Sequence, residues 1–394
     1  MRVVHVNYDG AKIGGASIAM FRTIEAQRRA GIDAVVACRG LPQEKSTYQY
    51  TPSLFCRGVE FMSKVAMKLA YRRCYSTGLI NNGMADFVNS LRPDVVQLNW
   101  LQANTIGIRE LKKIKCPIVW FTHDLWAMAG VEPYPADEWY KTGKPAGTWV
   151  NRKAWQVKCD VVRSLEGRLF VVSPSEWACK QARESVMFKN VPCSCIYYPA
   201  NEVLVNACEH FDGMPKKRNE RFTILFGATT GISRPIKGWD RLMSAIDMLT
   251  DDERTAMHIL VFGCDMPSQK MHGVDVDFIG KLTIEELIPQ YRSADLFALP
   301  SRQETWGQTK TEALCCGTPV IAFDQTACAN GIRHRVNGWV APADDISAYA
   351  EGVRWFIDRW KRKISLDIKG EMMAYHPQSI AKQWADFYQR ILHQ

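Results

Sequence analysis

Two carboxylates eight residues apart stand in the stretch "SRQETWGQTKTEALCCGTPVIAFD", Ser301 to Asp324. Glu304 reads as part of a loop, whereas Glu312 lies among helix formers that end at a small-residue turn before an apolar strand. Ionised carboxylates at this spacing can accept hydrogen bonds from one ligand long enough to reach both, or Glu312 can be an ordinary helix-surface charge. Upstream, "LFGATTGISRPIKGWDRLMSAI" runs from a strand through a Gly/Thr/Ser loop to Arg234 and Lys237 ahead of an amphipathic helix. Those two cations can neutralise a diphosphate, the plainer alternative being a solvated loop.

Two further loops follow strands in the first half. In "YDGAKIGGASIAMFRTIEAQRRAG", Gly14 and Gly15 allow close backbone approach and Ser17 reads as a helix cap. A helix N-terminus beside two glycines suits a phosphate, though it is as often simple strand-to-helix geometry, and neither a P-loop nor G-x-G-x-x-G is present. In "VWFTHDLWAMAG", His123 and Asp124 directly follow a strand. Asp124 can cap the next helix and His123 can bond a neighbour, or both can belong to a site. Asp275 and Asp277 in "GVDVDFIG" form a D-x-D pair that runs straight into a strand, and they read as solvent-side carboxylates, not metal ligands.

The elements that must position these residues are short apolar runs alternating with amphipathic segments. "RVVHVNY", "DAVVAC", "DVVQL", "PIVWFT" and "LFVVS" read as buried strands in the first half, and "FTILFG", "HILVFG", "VDFIG", "DLFALP" and "PVIAF" in the second. Continuously apolar strands separated by helices imply parallel sheets covered on both faces, so the expected class is α/β with two doubly wound, Rossmann-like domains. A length of 394 residues also favours two domains. The charged, Gly- and Pro-containing stretch "NEVLVNACEHFDGMPKKRNERF" reads as the linker, giving domains 1–200 and 201–375. A closing amphipathic helix, 376–394, is expected to pack back on the first domain. Ligands of such sheets bind at the carboxyl ends of the strands, where all the loops above fall.

Composition narrows the class less. Apolar residues at 47% and charged residues at 23% exclude disorder, while a net charge of +9 suits nucleic acid, an anionic membrane or acidic small molecules equally. The thirteen cysteines are odd in number and show no C-x-x-C. Cys193 with Cys195, and Cys315 with Cys316, lack zinc-site spacing and read as reduced thiols of a cytoplasmic protein. The opening "MRVVHVNYDG" lacks a secretory signal's apolar region, and no run approaches a membrane span.

Together, "ETWGQTKTEALCCGTPVIAFD", the Gly-rich first loop, "THD", "VVSPSEWACKQARES", "KGWDRL", "YRSADLFALPS", "VNGWVAP" and the closing aromatic helix resemble retaining glycosyltransferases of the GT-B architecture, in particular family 4. The resemblance spans nearly the whole chain and implies two Rossmann-like domains facing a cleft, with acceptor on the first and nucleotide-sugar donor on the second. It implies that Lys237, with an arginine, binds the donor diphosphate, that Glu312 holds the ribose, that Glu304 lies beside the donor sugar and that His123 lies near the anomeric centre. The spacing of the two carboxylates then follows the length of the donor. Gly14, Gly15, Trp306 and Gly307 are carried over as donor-side residues, and Asn99, Asp124 and Trp126 as acceptor-side. No cofactor, metal or nucleic acid is implied. Departures are Ile232 and Ser233 where the arginine is usual, so that the resemblance does not fix the role of the displaced Arg234, Asn99 in "QLNW" where histidine is frequent, and "DQTACANGIRH" in place of a glycine-rich turn.

The family favours a saccharide or lipid-linked saccharide acceptor in bacterial surface-polysaccharide assembly. Phe55 to Leu79 mixes aromatic and aliphatic residues with Arg57, Lys64, Lys68, Arg72 and Arg73, suiting either an anionic membrane at the inner face of the cell or an ordinary surface helix. A nucleotide-sugar epimerase of similar architecture and a noncatalytic glycosyltransferase-like subunit are the rivals. The first should show paired acid/base groups, and the second should lack donor residues that are present here.

Overall fold

The structure, a computed structural model, describes residues 1–71, 76–135, 138–144, 148–210, 219–227, 231–364, 366, 368 and 374–394. The chain divides into two compact units, Met1–Pro199 with Pro377–Gln394, and Ala200–His376.

The first unit holds seven strands: β1 (Arg2–Asn7), β2 (Asp33–Cys38), β3 (Thr47–Gln49), β4 (Val95–Leu98), β5 (Ile118–Phe121), β6 (Leu169–Ser173) and β7 (Cys193–Cys195). Its helices are α1 (Gly14–Arg29), α2 (Leu54–Tyr71), α3 (Met84–Ser90), α4 (Trp139–Thr142), α5 (Trp149–Ser164) and α6 (Glu176–Glu184). All strand pairs are parallel, in the order β3-β2-β1-β4-β5-β6-β7, so the winding reverses between β1 and β4. β4, β5 and β6 are buried at every position, as a parallel sheet covered on both faces requires.

The second unit repeats the plan. It holds α7 (Glu202–His210), β8 (Phe222–Gly227), α8 (Trp239–Asp247), α9 (Asp251–Thr255), β9 (Met257–Phe262), β10 (Gln269–Met271), β11 (Val274–Phe278) and α10 (Ile284–Ser293). There follow β12 (Leu296–Leu299), α11 (Gln308–Cys315), β13 (Val320–Phe323), β14 (Gly338–Ala341) and α12 (Ile346–Lys361). The order is β10-β11-β9-β8-β12-β13-β14, with β10 and β11 the one antiparallel pair among the described residues, and the winding reverses between β8 and β12. The last helix, α13 (Pro377–Leu392), belongs to the first unit, where it packs on α1 through a face that includes Ile380, Trp384, Tyr388 and Ile391.

Every apolar run read as a strand is one. The short strands β3, β7, β10 and β14 were not legible, because three- or four-residue segments such as TYQ, CSC and QKM carry no alternation of their own and pair only because a neighbour offers an open edge. The stretch read as a linker opens with a helix: Leu204 of α7 is fully buried in the second unit's core, and residues 211–218 of that stretch lie outside those described.

Candidate functional site

In the second unit, β8 and β12 are neighbours across the winding reversal, so the loops after them emerge side by side. The β8 loop ends in a short 3₁₀ turn, Pro235–Lys237, closed by Gly238. Gly238 has φ +73°, and a Cβ there would lie 2.0 Å from the Pro300 carbonyl oxygen, so no other residue lets the two loops approach this closely. Lys237 Nζ donates to Glu304 Oε1 at 2.6 Å, and the Ser301 hydroxyl donates to the same oxygen at 3.3 Å. The charge of Glu304 raises the Lys237 pKa against the opposing effect of burial. Arg302 clamps the loops together: its guanidinium donates to Asp240 Oδ1 at 2.8 Å and to the Pro235 carbonyl, and its amide to the Ile236 carbonyl.

Glu304 is further fixed by the segment after β13. Its amide donates to Thr326 Oγ1 at 3.0 Å, and its carbonyl accepts from the Ala327 amide at 3.0 Å. The "DQTACANGIRH" stretch therefore fastens the Glu304 loop. Gly307 caps α11, which carries Glu312 into the core, where it accepts from the Tyr291 hydroxyl at 3.0 Å. Glu312 is buried, so the helix-surface reading does not apply. Trp306 is buried edge-to-face against Tyr375, with Lys310 Nζ 5.0 Å from its ring centroid and donating to the Ala327 carbonyl at 2.9 Å. Arg234 is exposed, and its side chain makes no hydrogen bond or ion pair among the described residues; its charge lowers the Lys237 pKa. Residues 228–230 of this loop lie outside the described residues. The D-x-D pair is engaged elsewhere, Asp275 accepting from Arg221 at 2.6 Å and Asp277 lying 2.8 Å from His258 Nε2.

In the first unit, Gly14 opens α1 at φ +76° with open space where a Cβ would stand. Ser17 is not the cap: the N-cap is Ile13, which has no capping side chain, and Ser17 lies a turn inside the helix. The Ser17 hydroxyl instead donates to Asp9 Oδ2 at 3.1 Å and accepts from Asn7 Nδ2 at 3.1 Å, tying the loop to the end of β1.

His123, just past β5, is buried. Its Nε2 donates to Asn99 Oδ1 at 3.2 Å, and its Nδ1 accepts from the Tyr198 hydroxyl at 2.7 Å, the two rings being stacked. Asn99 belongs to a closed circuit. Its Nδ2 donates to His5 Nδ1 (3.4 Å), His5 Nε2 to Gln27 Oε1 (2.8 Å) and Gln27 Nε2 to the Tyr388 hydroxyl (2.9 Å). Tyr388 donates to Gln97 Oε1, and Gln97 Nε2 returns to Asn99 Oδ1 at 3.3 Å. Each donor meets an acceptor only if both imidazoles are neutral. Burial enforces that state, pushing His123 down to about 3 and His5 to about 4.

Asp124 caps a 3₁₀ turn, Leu125–Ala127, accepting from the Trp126 amide at 2.9 Å and from Gln102 Nε2 at 2.6 Å; burial pushes its pKa up to about 6. Trp126 is buried, donating to the Ser76 carbonyl at 2.9 Å. Lys158 on α5 stands 3.3 Å from the Trp126 ring centroid and donates to the carbonyls of Trp126, Ala129 and Gly130 at 2.6, 3.0 and 2.8 Å. Asn99, His123, Asp124 and Trp126 line one recess.

Sequence reasoning missed Tyr198, His5, Gln27, Gln97 and Tyr388 in this circuit, as well as Lys158, Lys310 and Tyr291. Polar residues inside apolar strand patterns, as in "VVHVN" and "VVQLN", were the available signal.

α2 presents Leu54, Phe55, Phe61, Met62 and Leu69 to solvent, together with Arg57, Lys64 and Lys68, while Met67 packs inward on Val131 and Ala154. Arg72 and Arg73 lie outside the described residues. No helix is long and apolar enough to cross a membrane among the described residues.

Solved structures share this fold. The Anabaena protein HepE, crystallised with UDP, matches with a TM-score of 0.68 at 14% identity, over 99% of this chain and 100% of its own. WaaG, a glycosyltransferase involved in lipopolysaccharide biosynthesis, matches with a TM-score of 0.59 at 14% identity, over 98% and 99%. The architecture is thus that of the GT-B glycosyltransferases. Residues 13–197 match the model described as "Glycosyltransferase Family 4" and residues 221–359 that described as "Glycosyl transferases group 1", and the chain belongs to this family. The D-inositol 3-phosphate glycosyltransferase 1 of Catenulispora acidiphila is 32% identical over 163 residues, 37% of this chain and 37% of that protein. The chain matches such curated relatives over well under half of their length.

Proposed function

We propose that this protein transfers a hexosyl group from a nucleoside-diphosphate sugar to an acceptor hydroxyl, with retention of anomeric configuration and without a catalytic metal. The bond between the anomeric carbon and the diphosphate breaks, a glycosidic bond to the acceptor oxygen forms, and the hydroxyl proton leaves with the departing phosphate. Negative charge grows on the diphosphate and positive charge on the sugar ring, so the site has to stabilise charge more than supply acid or base. Lys237, with Arg234 beside it, meets the first charge, while Glu304 accepts from sugar hydroxyls and Glu312 from the ribose. His123, neutral and with both ring nitrogens bonded to Asn99 and Tyr198, shapes the acceptor side and contributes no charge to the transfer.

The observation that carries this reading is the Lys237–Glu304 pair at the ends of adjacent strands, with Glu312 buried eight residues on, inside the region that matches the group 1 model. A neighbour of the same fold crystallised with UDP is consistent with a nucleotide-sugar donor. For the acceptor we favour a lipid-linked saccharide of surface-polysaccharide assembly, reached from an anionic membrane surface on which α2 lays its exposed apolar and basic residues.

A thermal-shift panel of UDP-, GDP-, ADP- and dTDP-sugars on the full chain should show one base and sugar raising Tm. Product NMR with that donor should then show a retained anomeric configuration, with turnover unchanged by added Mg²⁺ or Mn²⁺. Epimerised donor with no acceptor product, or an inverted linkage, would overturn the reading. Co-sedimentation with anionic vesicles, lost in Phe55→Ser/Phe61→Ser and absent with neutral vesicles, tests the membrane part separately.

A further inference from the structure

The thiols that sequence spacing set aside as plain cysteines are brought together by the fold. Glu176 and Cys179 are three apart on α6 and so share one helix face, and Cys193 and Cys195 are two apart on β7 and so share one strand face. α6 packs on β6 and β7, which sets those faces against each other. The Glu176 carboxylate and the sulfurs of Cys179 and Cys195 all lie within 4.8 Å of one another, and among the described residues no other group of three His, Cys, Asp or Glu side chains meets in this way. The Cys193 thiol, on the same strand face as Cys195, donates to the Cys179 carbonyl at 4.0 Å, which holds β7 against α6.

We propose that Glu176, Cys179 and Cys195 bind one soft divalent cation, with Zn²⁺ the best fit, and leave a fourth position open on the exposed side of Glu176. Two thiolates and a carboxylate are a zinc donor set. Around a tetrahedral zinc with Zn–S near 2.3 Å, ligand atoms stand roughly 3.8 Å apart, so the present spacing needs only side-chain adjustment. Cys179 is fully buried, Cys195 half-buried and Glu176 exposed, so the site is anchored in the unit yet reachable from solvent.

Cation binding ties down an edge strand that, among the described residues, pairs only with β6, over three residues. Three residues beyond Cys195 stands Tyr198, the hydrogen-bond donor to His123.

The test uses the full chain, reduced, loaded with ZnCl₂ and freed of loose metal by gel filtration. Elemental analysis should find about one zinc per chain. Co²⁺ loading should give the thiolate charge-transfer band and the intense visible bands of a tetrahedral site. Glu176→Gln, which alters only an exposed side chain, should weaken zinc affinity at least tenfold while circular dichroism stays unchanged, and Cys195→Ser should abolish retention and the cobalt bands. Zinc should also raise the wild-type Tm and leave that of Cys195→Ser where it was. Cys264→Ser, in the other unit, should retain zinc like the wild type. Retention below one tenth of an equivalent, binding that survives both Glu176→Gln and Cys195→Ser, or a Cys179–Cys195 disulfide in a reduced preparation that takes up no metal would each overturn the proposal.

Discussion

Lys237 and Glu304 neutralise each other at 2.6 Å, so in the proposed reaction the donor diphosphate shares or displaces that pair. Lys237→Ala removes the cation proposed to meet the leaving group and leaves Glu304 without its counter-charge. Donor affinity and turnover should fall together, by about 2 to 4 kcal/mol in kcat/KM, and kinetics indistinguishable from wild type would remove Lys237 from the site. The two glutamates should separate by ligand. Glu312→Gln weakens the proposed acceptor of ribose hydroxyls and should lower affinity for the bare nucleoside diphosphate as well as the full donor. Glu304→Gln should spare the bare nucleotide and impair the sugar-bearing donor. Calorimetry with both ligands decides, and equal loss of the bare nucleotide in both variants would contradict the division of labour.

At the level of elements, the loop after β5 owes its shape to one buried amine. Lys158, reaching from α5, satisfies the carbonyls of Trp126, Ala129 and Gly130, and its charge lowers the Asp124 pKa against the effect of burial. Burial holds its pKa well below that of a free lysine. Lys158→Met keeps the stem but orphans the carbonyls, each such loss costing on the order of 1 kcal/mol or more. A net destabilisation of about 2 to 4 kcal/mol is expected in urea unfolding, with a further rise in the Asp124 pKa. An unchanged midpoint would mean that the loop holds itself.

For the molecule as a whole, acid should be destabilising in a particular window. His5 and His123 have folded pKa values of about 4 and about 3, below the unfolded value near 6.5, so their stabilisation is complete above pH 6.5 and is lost as pH falls below it. At pH 5 each costs about 2 kcal/mol, because only the unfolded chain takes up the proton. Asp124 works in the opposite sense: its raised pKa of about 6 returns about 1 kcal/mol between pH 7 and pH 5. Unfolding free energy should therefore drop by about 2 to 3 kcal/mol from pH 7 to pH 5, and by less in His5→Gln. A flat or rising profile would show that the imidazoles are protonated in the fold.

Much of this could be read before any coordinates. Uniformly apolar runs between amphipathic segments specify parallel strands and crossover helices locally, because burial on both faces leaves its mark on each residue of a strand, and glycine and carboxylate spacings such as Glu304 to Glu312 are likewise written along the chain. What joins Lys237 to Glu304, Asn99 to two histidines, Tyr388 near the chain's end to Gln27 near its start, and Glu176 and Cys179 to Cys195 on a three-residue strand is none of these. Those contacts depend on which strands neighbour each other and on how far a helix reaches across them. Strand order, helix docking and the burial that shifts a pKa are set by the packing of distant segments, so only the folded chain decides them.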